Sequence, residues 1–106
     1  MRRCLVVASQ TFGGERLYEE IRRRVRGGPC RFHVVVPAST SREPADARPA
    51  AERRLHAVLS RLHGMGILAA GEVTGADPEP AVAAALTRER FDEVILPTGT
   101  ARSLTA

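Results

Sequence analysis

Four short apolar runs, separated by stretches with helical periodicity, constrain this chain more than any other feature. Cys4-Leu5-Val6-Val7-Ala8 is continuously apolar, and Phe32-His33-Val34-Val35-Val36 is nearly so and rich in β-branched residues. A strand without a polar face is one covered on both sides, which is the habit of parallel sheets. Ile67 to Val73 forms a weaker run, Ala-rich and interrupted by Gly71, and suits a sheet edge. Glu93-Val94-Ile95-Leu96 supplies the fourth run, closed by Pro97 as the second is closed by Pro37.

The segments between the runs read as helices. Leu17, Tyr18, Ile21 and Val25 recur at helical spacing, with Glu15, Glu19 and Glu20 early and Arg22, Arg23, Arg24 and Arg26 late. That charge order matches the helix dipole, and Gly27-Gly28-Pro29 stops the helix. A second amphipathic helix is predicted from about Pro49 to Met65, with Leu55, Val58, Leu59, Leu62 and Met65 on one stripe and Gly66 as terminator. Ser39 to Arg48, without apolar periodicity, reads as the longest irregular connection. Asp77-Pro78 is an N-cap followed by proline at the first helical position, with Ala81, Val82, Ala85 and Leu86 facing inward to about Arg90. The order β-α-β-α-β-α-β implies right-handed crossovers and a parallel, three-layer α/β sheet. Residues 1–97 are expected to form one domain, with 98–106 as a tail.

Composition narrows the class. The 106 residues are 43% hydrophobic and 26% charged, which excludes disorder and collagen, and no apolar stretch is long enough to span a membrane. All 16 basic residues are Arg, beside 12 acidic ones, for a net charge of +4. The run Arg22-Arg23-Arg24-x-Arg26 spreads around its helix without interleaved aromatics, so it reads as a solvated face, and neither a nucleic-acid nor a membrane partner is expected. Cys4 and Cys30 open two runs that parallel pairing would place near each other. With no CxxC, no Cys/His cluster and nothing secretory after Met1-Arg2-Arg3, a buried reduced pair and a cytoplasmic location are expected.

Several of these segments resemble small universal stress protein-like domains of actinobacterial type. The likeness is carried by Leu5-Val6-Val7-Ala8 with Thr11-x-Gly13-Gly14, by Phe32 to Ala38, by Gly71-Glu72-Val73 with Asp77-Pro78, and by Phe91 to Leu96. Its most distinctive part is Leu96-Pro97-Thr98-Gly99-Thr100-Ala101-Arg102-Ser103-Leu104, similar to a Leu-Pro-Pro-Gly-x-Ser-Arg-Trp-Leu segment of that family. The resemblance implies an adenine nucleotide alpha hydrolase-like, Rossmann-like sheet of strand order 3-2-1-4-5. A last helix and strand would lie beyond Leu104, so the fifth strand is expected to be missing and the fourth to be unpaired on its outer side unless the tail or a second subunit covers it. A homo-oligomer pairing the fourth strand or the tail with a second chain follows as one expectation.

Ligands of such sheets bind beyond the carboxyl ends of the strands where strand order reverses, here between the first and fourth. The implied crevice is lined by Ser9, Thr11, Gly13 and Gly14 on one side and Thr98, Gly99, Thr100 and Arg102 on the other, with Ser39 closing it from the second strand. Gly13-Gly14 before a helix would present N–H groups to an anion, and Arg102 would clamp a phosphate. ATP or another adenine nucleotide is the cofactor the resemblance implies. Its motif is incomplete, because Ser9 stands where ATP-binding members carry Asp, and the second half of their Gly-x-x-Gly signature has no counterpart before Ala106. No nucleophile, base or complete phosphate loop points to catalysis. His33 is expected to be a satisfied core histidine, His56 and His63 boundary residues of the second helix, and Asp92-Glu93 cap or turn residues, with no metal site.

Overall fold

The computed structural model describes residues 1–8, 14–38, 44–75, 77, 79–96 and 101–103. The elements are β1 (Arg2–Val7), α1 (Gly14–Arg26), β2 (Cys30–Pro37), α2 (Pro44–Gly64), β3 (Leu68–Thr74), α3 (Glu79–Arg88), β4 (Glu93–Ile95) and β5 (Ala101–Ser103). β1 to β4 are parallel in the order 3-2-1-4, the Rossmann-like open sheet that the alternation of runs and helices predicts. The crossovers carry α1 and α2 to one face and α3 to the other.

The outer edge of β4 is not open. β5 runs antiparallel along it, pairing Glu93 with Ser103, Val94 with Arg102 and Ile95 with Ala101. Of the two covers expected for this edge, the tail or a second subunit, the tail supplies one, as a short antiparallel strand rather than the parallel fifth strand after a further helix that the resemblance implies. Residues 97–100 are too few for a parallel crossover, which needs a dozen or more, so the returning chain pairs antiparallel. Pairing also satisfies backbone groups that an apolar edge strand would leave open.

The two faces are packed unequally. Cys4, Val6 and Ala8 of the β1 region, Phe32, Val34 and Val36 of β2, and Ile95 of β4 pack with Leu17, Tyr18 and Ile21 of α1 and Ala51, Val58 and Leu62 of α2. On the opposite face Leu5, Val35 and Val94 meet Ala85 and Phe91. β3 is an edge strand, as expected, but Gly71 has a more specific reason than a weak strand. A Cβ there would fall 2.5 Å from the Val34 carbonyl oxygen and 2.6 Å from Leu55 Cδ1, so α2 can lie this close only over glycine.

Other expectations are amended. α2 starts at Pro44 rather than about Pro49, so Pro49 lies inside it and the irregular connection is shorter. Pro44 suits a first helical position, and Arg48 reaches Glu52 at 3.5 Å one turn on, an i,i+4 pair that supports the early turn. Pro49 forfeits one backbone bond near the amino end, where fewest are lost. Asp77 does cap α3, its Oδ1 accepting the Glu79 N–H at 3.0 Å. Val25, Met65 and Leu86, expected inward, are exposed, and Met65 lies just past the end of α2. His56 and His63 are also exposed rather than boundary-packed, and His63 Nε2 lies 2.9 Å from the Ala69 carbonyl oxygen, joining α2 to β3.

Candidate functional site

The carboxyl edge of the sheet presents the reversal of strand order between β1 and β4. Beside it, Ala8 continues the ladder past β1 by donating its N–H to Val35 O at 2.9 Å. Of the residues expected to line this crevice, Ser9, Thr11, Gly13, Ser39, Thr98, Gly99 and Thr100 lie outside the described residues. Gly14 opens α1 with φ of +57°, a left-handed conformation that strains any residue with a side chain, and among the described residues no atom outside its own helix backbone lies within 4 Å of where its Cβ would be. Arg102 belongs to β5, its backbone held opposite Val94.

The first turn of α1 carries Glu15, whose charge would oppose an anion at this end. That carboxylate is already engaged, 2.7 Å from Arg61 Nη2 and 3.6 Å from Arg22. Hydrogen bonding and attraction to Arg61 hold its pKa below the usual glutamate range. Arg61 in turn lies over the Tyr18 ring, 3.9 Å from its centroid, tying α2 to α1.

The amino edge holds what the sequence reading missed. Glu93 is not a cap: it is buried, accepts from Arg24 Nε at 2.8 Å and is paired with Arg2. Arg24 also contacts Glu20 at 3.3 Å, so this member of the arginine run is packed against the sheet rather than solvated. Asp92 instead brackets Arg3, accepting its N–H on Oδ2 at 2.8 Å while donating its own N–H to Arg3 O at 2.8 Å. No local periodicity marks Glu93 as Arg24's partner, since the pairing depends on how β4 docks beside β1.

The histidine and cysteine candidates resolve as structural groups. His33, partly buried, is satisfied by Glu72 at 3.1 Å. Cys4 and Cys30 are both buried and unbridged. Burial, reinforced by Cys30 and Glu93, pushes the Cys4 thiol up to about 12, so it stays protonated and is a poor nucleophile. Cys30 donates its S–H toward the Arg24 and Gly28 carbonyls, each at 3.4 Å. Among the described residues no group of three or more His, Cys, Asp or Glu side chains is placed to hold a metal ion, and no helix is long and apolar enough to cross a membrane.

Compared with known proteins, the chain matches no family model, no curated protein and no solved structure.

Proposed function

We propose that this domain is a universal stress protein-like, non-enzymatic binder of a nucleotide or small anion, working in the reducing cytoplasm. The ligand would lie at the carboxyl edge between β1 and β4, against Ser9, Thr11, Gly13 and Gly14 on one side and Thr98, Gly99, Thr100 and Arg102 on the other, with Ser39 closing it. The observation that carries the reading is the reversal of strand order at β1 and β4, which leaves a gap beyond the strand ends in open α/β sheets. Gly14 supports it by opening the following helix with no described residue crowding the position of its Cβ.

Calorimetric titration with ATP, AMP and cyclic AMP tests this reading. A saturable isotherm that weakens in Gly14→Val is expected. Flat isotherms at millimolar ligand would remove the binder.

A second reading, assembly through the tail, is favoured by the shortness of the β4–β5 pairing, which spans only three residues of each strand. Exchange of β5 between two copies would preserve every bond of that ladder at little cost. Light scattering at high concentration separates the two, since a clean monomer contradicts assembly.

A further inference from the structure

A second anion site is built at the opposite, amino end of the sheet, on the face covered by α3. There β1 and β2 pair with Arg3 directly beside Arg31. Neighbouring strands are about 4.8 Å apart, and partners in a parallel ladder project from the same face. Like charges placed side by side on a sheet repel. His33, two residues beyond Arg31, lies on that face as well.

The carboxylates nearby engage Arg3 but not Arg31. Glu89 forms an ion pair with the Arg3 guanidinium at 3.6 Å, longer than a hydrogen bond, and an incoming anion has to displace it. Glu72 is shared between His33 at 3.1 Å and Arg88 at 3.5 Å. Asp92 is taken up by the Arg3 backbone N–H. Arg31 has no carboxylate partner among the described residues.

A cavity of about 60 Å³ lies between these groups, lined by Arg3, Arg31, His33, Glu89 and Phe91. A single water needs about 10–15 Å³ of such space, so the cavity admits a group of about five heavy atoms and not a whole nucleotide. Two guanidinium groups side by side offer donors in the fork geometry that suits an oxyanion.

We propose that Arg3 and Arg31 together bind a phosphoryl group at this amino-end cavity, with Phe91 as its apolar wall. The anion takes the place of Glu89 at Arg3 and bridges the two guanidinium groups through paired charge-assisted hydrogen bonds. This site is independent of the β1–β4 crevice, which lies at the other end of the strands.

Nitrogen-15 NMR of the arginine Nε–H groups during titration with inorganic phosphate, and separately with phenyl phosphate, tests the proposal. Saturable shifts at Arg3 and Arg31 are expected, weakened about tenfold or more in Arg31→Ala and in Arg3→Ala and unchanged in Gly14→Val. Both arginines are exposed, so these variants should fold, which unchanged amide spectra elsewhere would verify. Tighter binding of phosphate supports the site with a free ion as its occupant, and tighter binding of phenyl phosphate supports it with the phosphoryl end of a larger molecule. Linear, non-saturating shifts with both anions, or equal affinity in Arg31→Ala, would overturn it.

Discussion

The two faces of the sheet differ in how completely the chain covers them. Under α1 and α2, Cys4, Val6, Phe32, Val34, Leu17, Ile21 and Leu62 are all at most 1% exposed. The α3 face has one helix for the same width of sheet, and its amino end is closed by charged side chains around a cavity rather than by apolar packing. Both faces come from the same apolar strands, so the contrast arises from connectivity: two crossovers fall on one side and one on the other. A thinly covered face stabilises less but has room for a ligand.

The sharpest way to break this contrast is to truncate one buried side chain on each face. Val34→Ala on the α1/α2 face should cost about 2–3 kcal/mol in urea unfolding, the transfer loss of two methyl groups plus a cavity. Val94→Ala on the α3 face removes two methyl groups and should cost about 1–2 kcal/mol. Equal losses would mean that the faces contribute alike.

Gly71→Ala probes the closeness of α2 to β3. Its Cβ would meet the Val34 carbonyl and Leu55, and overpacking of this kind should cost about 2 kcal/mol. Leu55→Ala in the same chain should recover part of the loss if the side-chain clash dominates.

Cys4 gives a pH test of how dry the covered face is. Its folded pKa, about 12, lies above the ordinary value of 9.0. The unfolded chain therefore loses this proton first, and stability present below pH 9 should fall as pH rises toward 12. The expected slope is about 1 kcal/mol per pH unit. Urea midpoints between pH 8 and 10 measure it, and Cys4→Ala should flatten the decline.

The smallest expected effect is at Arg61, on the outer surface of the same face. Arg61→Ala removes the contact with Tyr18, a loss of about 0.5–1 kcal/mol. It should also let the Glu15 pKa rise toward its ordinary value, which NMR titration reads directly. An unmoved Glu15 would show that Arg22 alone holds it.

Much of the fold was legible because burial on both sides leaves a local mark. Leu5 to Ala8 and Val34 to Val36 show no polar alternation, and Asp77 announces its helix by its position before proline. The start of α2 was less so, since Ala45, Asp46 and Ala47 bear no apolar stripe and Pro49 looks like a beginning. Pro44 was the signal available. Of the candidate crevice, sequence supplied Gly14 and the strand ends around it. It could not supply the company of Glu93, because Arg2 and Arg24 reach it only after β4 settles against β1.

What the residues alone determined is the alternation of strands and helices and the burial of the strands on both faces, because periodicity and capping act over a few neighbours. Tertiary structure decided the return of Ala101–Ser103 along β4, the α2 contact over Gly71 and the register that sets Arg3 beside Arg31. Each depends on where segments distant in the chain come to rest, and a shift of one residue in a strand would turn the side chains involved to the other face.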